Sequence, residues 1–449
     1  MTARVETANV PRALARPATQ RQLVVLTVAA IALLVAGFAF EWSRTQNGGA
    51  WDDDVYERYG ALMESGELPY RDFRVEYPPG GLLVFVLPSL VTEPSGQPVW
   101  EPVMNDSARQ YARAFGLEMI ALLAATIGVT SLSLHALRAP LGRAGIALGL
   151  LALSPFLLGD LVYTRFDALP MLLTAAALAA LLRARFRLSG TALGLGVATK
   201  LYPALLAPLA VSTAWRLRGR REGLVTLGVT ALAALAVFVP FVLLSPGGTW
   251  WPLHAQLTRG LQAESIGASA VSALHVFTFQ LQNHGIPMWV FPLDLVESAG
   301  RLKSAEVQGL AGRLVGGLST LLSVAALAWA WTAYARGAAS PERLVRFTAL
   351  VLTVQLTLGR VLSPQFLIWL LPVVPLVRGR RGLAASGVLA AALALTHVWF
   401  PGPYRDYVNN VVSGEIAPLS ILLARNALLL ALLAVLALPV PARLRASRA

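Results

Sequence analysis

The sequence lacks cysteine, contains few charged residues and has almost no lysine. The absence of cysteine excludes disulfide bonds, thiolate metal sites and cysteine nucleophiles. Charged residues make up 14% of the 449 positions, whereas soluble globular chains carry about 25%, so an ordinary soluble enzyme is not expected. Lys200 and Lys303 are the only lysines, and arginine therefore supplies nearly all of the basic charge behind a net charge of +13.

Hydrophobic residues account for 56% of the chain, and the mean hydropathy is +0.61. They are grouped in long runs, as expected for transmembrane helices of about 20 residues. We predict an all-α integral membrane protein with about ten full spans. These spans lie near 23–40, 111–137, 143–159, 167–182, 223–244, 309–334, 347–358, 365–377, 382–400 and 416–440. The first run follows three arginines and lacks a small-residue cleavage site, so an uncleaved anchor is expected.

The basic residues are concentrated in seven short segments between or beside these spans. The segments are 1–22, 138–143, 183–188, 216–222, 336–346, 378–381 and 441–449. Because cytoplasmic loops are enriched in arginine and lysine, both termini are predicted to be cytoplasmic. The chain is then a single polytopic domain with two long outer regions, 41–110 and 245–308. The positive charge reflects membrane topology, and nucleic acid is not an expected partner.

Two segments do not fit a simple alternation of spans. Residues 190–213 begin and end on the inner side, yet about 24 residues cannot cross a bilayer twice as full helices. We therefore predict a pair of half-helices with Lys200 at the apex, where an ionisable residue indicates function. The apolar stretch 80–90 is predicted to be re-entrant or interfacial, because a full span there would place Arg138 and Arg143 outside.

The first outer region contains an unusual acidic cluster directly after the first span, Asp52-Asp53-Asp54. One interpretation is structural, with Asp52 capping a short helix that Gly66 ends. The other is catalytic, because a carboxylate just beyond a transmembrane helix can reach a substrate whose lipid tail lies in the bilayer. The residues alone leave both interpretations open.

Four segments resemble, in the same order, the motifs of glycosyltransferase family 87. They are the first outer region (Asp52, Tyr56, Pro69-Tyr70-Arg71-Asp72-Phe73 and Glu76-Tyr77-Pro78-Pro79), then Lys200-Leu201-Tyr202-Pro203, Leu261-Gln262-Ala263-Glu264-Ser265, and VLSPQFLIWLLP at 361–372. The resemblance runs from about residue 40 to about residue 400. It implies a GT-C-type helical bundle and a membrane mannosyltransferase that uses a polyprenyl-phosphate sugar.

The resemblance also implies a reaction with inversion at the anomeric carbon, which requires a general base for the incoming hydroxyl group. The catalytic aspartate of the family lies four residues before Tyr56, which is Asp52 in this sequence. The triple aspartate departs from the usual single acid, so Asp53 is an alternative base. Repulsion between adjacent carboxylates is expected to raise the pKa of at least one of them, which would suit a base.

The departing phosphate requires fixed positive charge or hydrogen-bond donors. Lys200 is the first candidate, followed by Arg165 and Arg360 on short outer turns, although the two arginines are equally compatible with interfacial anchors. Arg425 with Asn426 is a further candidate in the last span, where pairing with another helix is the stronger expectation. The expected substrate-binding residues are Tyr56, Tyr77, Asp167, His254, Gln262, Glu264 and Gln365.

No metal or cofactor is predicted, since the donor implied by the resemblance carries a single phosphate. The expected partners are the polyprenyl-phosphate sugar, a glycolipid or glycan acceptor, and membrane lipids. Two alternatives are a transporter or flippase of a lipid-linked glycan and a non-catalytic membrane subunit. Transporters often have internal repeats and paired broken helices, whereas this sequence has no obvious repeat and one broken pair. These features favour an enzyme over a transporter.

Overall fold

The computed structural model describes residues 16–44, 53–92, 106–297 and 305–438, and helices dominate these ranges. The helices are α1 (Gln20–Arg44), α2 (Asp53–Glu64), α3 (Leu82–Ser89), α4 (Asp106–Ala136), α5 (Leu141–Ala152), α6 (Ser154–Leu158), α7 (Ala168–Leu182), α8 (Phe186–Thr199), α9 (Ala207–Arg218), α10 (Arg220–Leu244), α11 (Pro246–Thr258), α12 (Ile266–Asn283), α13 (Gly309–Arg336), α14 (Pro341–Leu358), α15 (Gly379–Trp399), α16 (Gly402–Asn410) and α17 (Ala417–Ala437). Short 3-10 helices occupy Pro79–Gly81, Gly159–Val162, Tyr202–Leu206, Pro364–Leu370, Val374–Leu376 and Val411–Ser413.

Six of these helices, α1, α4, α10, α13, α15 and α17, are long and apolar enough to cross a membrane. A seventh span results if α5 and α6, which are bent by 54° at their junction, are counted together. The chain is therefore an all-α, multi-pass membrane protein with six or seven candidate spans in the described ranges. The ten full spans that the sequence predicts are not confirmed.

The three remaining runs form shorter elements. The run at 167–182 is α7, which at 15 residues is about 22 Å long, less than the hydrocarbon thickness of about 30 Å. The run at 347–358 lies in α14, whose first turns carry charged residues, and the run at 365–377 forms two 3-10 helices. Neighbouring helices bury most of α7 and α14, so their apolar residues face protein instead of lipid.

The helical conformation is interrupted at Lys200, as the sequence predicts. Helix α8 ends at Thr199, Lys200 is extended (φ −157°, ψ 139°), and the 3-10 helix Tyr202–Leu206 leads into α9. Both helices of the pair are shorter than a full span. The break leaves backbone and the Lys200 side chain available to a cavity, where irregular backbone is tolerated within a membrane protein.

Helix α8 packs tightly against α10 through two glycines four residues apart, Gly190 and Gly194. A Cβ atom on Gly194 would lie 2.7 Å from the Cβ of Ala233 and closer still to the carbonyl oxygen of Thr230. Small residues at this spacing allow two membrane helices to approach closely. The close approach fixes the half-helix that carries Lys200.

Gly194→Ala is expected to destabilise the protein by about 1–3 kcal/mol, because the added methyl group overpacks the α8–α10 contact. The measurement is the thermal unfolding midpoint of the purified protein in detergent, which should fall. Gly228→Ala on α10 is the matched control, since no atom lies within 4 Å of the added Cβ there. An unchanged midpoint for Gly194→Ala would show that this contact does not hold the half-helix.

In the first outer region, the described residues 53–92 form the short helices α2 and α3 with a turn and the 3-10 helix Pro79–Gly81 between them. Helix α2 ends near Gly66, which has a positive φ of 90°, in agreement with the helix end expected there. The apolar stretch 80–90 forms the end of the 3-10 helix Pro79–Gly81 followed by α3, an element too short to span a bilayer. Tyr111 of α4 donates a hydrogen bond of 2.9 Å to the carbonyl oxygen of Phe85 in α3, which anchors this segment to a span.

A small antiparallel sheet in the second outer region was not expected from an all-α prediction. Its strands are β1 (Leu261–Gln262), β2 (Leu295–Glu297) and β3 (Ala305–Val307), in the order β1-β3-β2. Strands of two and three residues are too short to produce a recognisable hydrophobic alternation in the sequence. The sheet positions Gln262 and the turn that follows it.

The described residues of five basic segments, 1–22, 138–143, 216–222, 336–346 and 378–381, meet at one face of the protein. Their contacts are Ala18 N to Ala139 O, Arg143 to Val377 O, Arg216 to Tyr334 O, Arg378 to Glu342, Arg346 to Leu436 O, and Arg381 to Leu438 O. Helices α7 and α14 each have one end at this face. Their other ends lead to the residues of the site described next.

Candidate active site

A cavity of about 470 Å³ lies where the ends of α7 and α14 meet the broken helix and the outer regions. Its volume is within the range of about 300–1,000 Å³ that is typical of small-molecule sites. The wall combines Tyr56 and Tyr77 of the first outer region with parts of the second outer region and the segment after α14. Residues that are far apart in sequence therefore form one concave surface.

Lys200 occupies the wall of this cavity and is paired with a buried carboxylate. Its Nζ lies 2.7 Å from Oδ1 of Asp167, which precedes α7 and is 1% exposed. The indole Nε1 of Trp369 donates a 2.6 Å hydrogen bond to the same oxygen. The carboxylate is thus held by two partners, and it fixes the position of the ammonium group in turn.

Three aromatic rings surround the Lys200 ammonium group. Its Nζ is 4.7 Å from the ring centroid of Phe166, 5.0 Å from that of Phe366 and 5.4 Å from that of Trp369. Tyr202 stacks on Trp369 with centroids 3.9 Å apart. Cation–π contacts of this kind favour a charged, well-ordered lysine.

Among the described residues of the cavity wall, cations outnumber carboxylates. Arg165, Lys200, Arg259 and Arg360 line it, against the two carboxylates Asp167 and Glu264. Arg165 is buried in the turn before α7, and the guanidinium group of Arg360 donates to the carbonyl oxygen of Leu257. A concave surface with excess positive charge attracts an anionic ligand.

Arg259 is a cavity residue that the sequence did not single out. Its Nε lies 4.0 Å from Oε1 of Glu306 in β3, and the amide of Gly260 donates a 3.1 Å hydrogen bond to the other oxygen of that carboxylate. Burial lowers the pKa of Arg259 from its usual value, and the charge of Glu306 opposes this shift. In the sequence, only the position of Arg259 three residues before Gln262 could have indicated that it belongs to the site.

The segments around Gln262 and Ser363, which resemble family motifs, contact each other directly. Gln262 Nε2 donates a 3.1 Å hydrogen bond to Ser363 Oγ, and the Gln262 amide donates one of 2.9 Å to the carbonyl oxygen of Arg360. These bonds join strand β1 to the segment after α14. They place two of the predicted site segments side by side.

Glu264 follows β1 and is only 2% exposed. Its Oε1 accepts a 2.6 Å hydrogen bond from Trp399 Nε1 and lies 3.7 Å from NH1 of Arg425 in α17. Burial raises the pKa of Glu264 to about 7, although the charge of Arg425 opposes the shift. The expectation that Arg425 pairs with another helix is therefore wrong in detail, because its partner precedes α12 in an outer turn.

Most of the expected site residues lie in the cavity wall. They are Tyr56, Tyr77, Arg165, Asp167, Lys200, Gln262, Glu264, Arg360 and Gln365. Tyr56 stacks on Phe85 with centroids 4.6 Å apart, so its ring also stabilises the first outer region. His254 is not part of the wall; its side chain is exposed on α11, and we assign it no role.

The side chains of the two expected catalytic aspartates are not described by the structure. Asp52 lies outside the described residues, and the description of Asp53 is limited to its place as the first residue of α2. Tyr56, one turn later in α2, lines the cavity. The helix that begins at Asp53 therefore reaches the cavity wall.

The sequence of this chain matches the model of glycosyltransferase family 87 over residues 76–364, more than half of its length. The chain belongs to glycosyltransferase family 87. No curated protein matches it closely enough to be called a relative. The segment matched by family 87 contains Arg165, Lys200 and Glu264, whereas the acidic cluster at 52–54 precedes it.

Membership of family 87 gives the chain a glycosyltransferase activity, with a sugar donor and an acceptor as substrates. The cavity contains side chains of two kinds, which suit a charged ligand group and a sugar. Fixed cations can bind an anionic group, and the side chains of glutamine and glutamate can form hydrogen bonds with hydroxyl groups. Trp369 and Tyr404, which also line it, offer aromatic surface and were not predicted as site residues.

Proposed function

We propose that this protein transfers a mannosyl or related sugar from a polyprenyl-phosphate donor to a hydroxyl group of a glycolipid, lipoglycan or other acceptor. The observation that carries the proposal is the convergence of Lys200, Arg165 and Arg360 on one cavity beside a broken helix. The donor carries its charge on a lipid phosphate, and a broken helix exposes polar groups to a cavity within a membrane protein. The proposed architecture is the GT-C-type bundle that the family resemblance implies.

In the proposed reaction the acceptor oxygen attacks the anomeric carbon as the bond from that carbon to the phosphate oxygen breaks. The hydroxyl proton passes to the carboxylate of Asp52, with Asp53 as the alternative, and polyprenyl phosphate leaves with the electron pair of the broken bond. Direct displacement inverts the configuration at the anomeric carbon. Charge develops on the departing phosphate, where fixed cations stabilise it most.

The cations of the cavity have different proposed tasks. Lys200 is held by Asp167 and by three rings, so it presents a compact charge in a fixed position. Arg165 and Arg360 carry planar guanidinium groups, which suit two phosphate oxygens at once. The pair of Lys200 with Asp167 is neutral overall, and Arg165 and Arg360 are proposed to supply further positive charge to the donor phosphate.

The proposed orientation places both termini in the cytoplasm and the cavity on the extracytoplasmic side of the cell membrane. Support comes from the face at which the basic segments meet, since such segments are enriched on the cytoplasmic side. Helix α7 connects this face with the cavity, because it begins next to Asp167 and ends next to Arg183. An extracytoplasmic cavity suits acceptors of the cell envelope.

The test is transfer of radiolabel from decaprenyl-phosphate mannose to octyl α-mannopyranoside by the purified protein in lipid nanodiscs. A labelled disaccharide glycoside is the expected product, with inverted anomeric configuration relative to the donor. Movement of the labelled donor between leaflets without a glycoside product would instead support the flippase alternative. Neither product nor movement with several sugar donors would support a non-catalytic subunit.

Chelation of divalent cations by EDTA is expected to leave the transfer rate unchanged. The proposed donor has one phosphate group, and the cavity supplies its own cations. Within the described ranges, no three histidine, aspartate or glutamate side chains lie together in a way that could hold a metal ion. Loss of transfer on adding EDTA, with recovery on adding excess Mg²⁺ or Mn²⁺, would contradict this expectation.

A further inference from the structure

Arg425 is a fully buried cation in α17, with an exposed fraction of 0%. Its guanidinium group contacts Glu264, which lines the cavity. We propose that Arg425 is a positioning residue, which fixes Glu264 so that its second carboxylate oxygen accepts a hydrogen bond from a sugar hydroxyl group. This inference rests on the proposed glycosyl transfer. It adds a site for neutral hydroxyl groups to the site for the anionic phosphate.

Arg425 holds Glu264 at two points. Its NH2 donates a 2.6 Å hydrogen bond to the backbone carbonyl oxygen of Glu264, and its NH1 lies 3.7 Å from the side-chain oxygen Oε1. Trp399 donates to the same Oε1 from α15. Backbone and side chain of this glutamate are thus fixed by two different helices.

The arginine is itself held in place by its neighbour. Asn426 Oδ1 accepts hydrogen bonds of 3.1 Å from Nε and 2.9 Å from NH2 of Arg425. The amide nitrogen of Asn426 donates a 2.9 Å hydrogen bond to Ser269 Oγ in α12. The network therefore ties α17 to the start of α12 and leaves Glu264 little freedom to turn.

The second oxygen of Glu264 is the group left for a ligand. Among the described residues no hydrogen bond reaches Oε2, although the side chain is buried and lines the cavity. An ionised carboxylate only accepts hydrogen bonds, and Oε2 is not among the fully buried side-chain atoms that lack a partner, so it is accessible from the cavity. A sugar hydroxyl group is a donor of the right kind for this oxygen.

The charged and titratable groups that face Glu264 are few. Arg425 approaches from α17, and the phenol of Tyr407 approaches from α16, where it hydrogen-bonds Ser272 at 2.7 Å. Because burial raises the pKa of Glu264 to about 7, the negative charge that strengthens a hydrogen bond to this carboxylate is lost as the pH falls through neutrality. Removal of the Arg425 charge raises this pKa further, so the loss then begins at a higher pH.

The experiment compares Glu264→Gln, Arg425→Met and the double variant in nanodiscs. The probes are decaprenyl-phosphate mannose as donor and octyl α-mannopyranoside as acceptor. Each single variant should lower kcat/KM about 10- to 100-fold, the effect of losing a hydrogen bond to a charged group. A rise in KM for the mannoside would show that Glu264 binds a hydroxyl group of the acceptor. A rise in KM for the donor would show that it binds a hydroxyl group of the donor sugar.

Three results would identify positioning as the role of Arg425. The decline of kcat/KM below about neutral pH should begin at higher pH in Arg425→Met. In Glu264→Gln the part of this decline that is due to Glu264 should be absent, which leaves the decline caused by protonation of the general base. The double variant, which removes both charges and so avoids an unpaired buried ion, should match Glu264→Gln in activity. Arg425→Lys should recover part of the lost activity.

Binding of octyl α-mannopyranoside measured by calorimetry separates this inference from the proposed function. A wild-type protein that binds the mannoside but does not use the polyprenyl donor would contradict the proposed transfer alone. Arg425→Met that lowers only the unfolding temperature, with an unchanged pH profile and unchanged KM values, would show a structural role and overturn the positioning role. An unchanged mannoside affinity and an unchanged kcat/KM in Glu264→Gln would also overturn the positioning role.

Discussion

Asp52→Asn is expected to lower the rate of sugar transfer by about 10²–10⁴-fold, the usual contribution of a general base. The substitution preserves the size of the side chain but removes the carboxylate that takes the proton of the acceptor hydroxyl group. The measurement is kcat for transfer from decaprenyl-phosphate mannose, at donor concentrations that saturate the wild-type protein. Donor binding should change much less than kcat, because the base acts on the acceptor.

Asp53→Asn and Glu67→Gln serve as the comparisons for this variant. Asp53→Asn is expected to retain most activity, and Glu67→Gln, an exposed acid of the same outer region, should behave as wild type. Loss of activity in Asp53→Asn with full activity in Asp52→Asn would move the base by one residue. Full activity in both variants would contradict a base in the acidic cluster.

Lys200→Met is expected to abolish transfer and to destabilise the protein as well. It removes the cation proposed to hold the donor phosphate, and it leaves Asp167 buried without its ion-pair partner. Breaking a buried pair by removing one partner costs about 3–5 kcal/mol. The lower end is expected here, because Trp369 still donates to Asp167 and Lys200 is 16% exposed. Unfolding temperature and transfer rate are measured on the same preparation.

The double variant Lys200→Met/Asp167→Asn separates the two effects. It removes both charges, so the unfolding temperature should return towards that of the wild type while transfer remains lost. Arg378→Met is the control for loss of a cation, because its exposed pair with Glu342 contributes only about 0–1 kcal/mol. Transfer at the wild-type rate by the double variant would contradict the role of Lys200.

The position of the broken helix followed from the sequence because topology left no other solution. Residues 190–213 had too few positions for two spans, and the break occurs at Lys200 as expected. Gly66, a turn residue with a positive φ, likewise marked the end of α2. The helix break depends on the number of residues available, and the end of α2 depends on a local turn residue. Both can be read from the sequence without knowledge of the packing.

The partners of the site residues were not predictable in this way. Asp167 meets Lys200 33 positions away and Trp369 202 positions away, and Arg425 meets Glu264 161 positions away. No periodicity or spacing connects residues at such separations. Several of these side chains were recognised as unusual, but the pairs follow only from the packing of the helices.

The ten full spans expected from hydropathy are not confirmed, because only six or seven helices in the described ranges are long and apolar enough to cross a membrane. Hydropathy measures how apolar a segment is, and it does not tell whether the segment faces lipid or protein. Helices α7 and α14 are apolar because neighbouring helices bury them. The run after α14 contains Pro364, Pro372 and Pro375, and it forms 3-10 helices around the cavity instead of a straight span.

Cryo-electron microscopy of the protein in nanodiscs with decaprenyl phosphate tests most directly whether the cavity receives a lipid-borne phosphate. The expected result is phosphate density inside the cavity, within hydrogen-bond distance of Lys200 Nζ and of the guanidinium group of Arg165 or Arg360. The lipid chain should leave the cavity towards the bilayer. Phosphate density at another surface, with the cavity empty at saturating ligand, would contradict the proposed site.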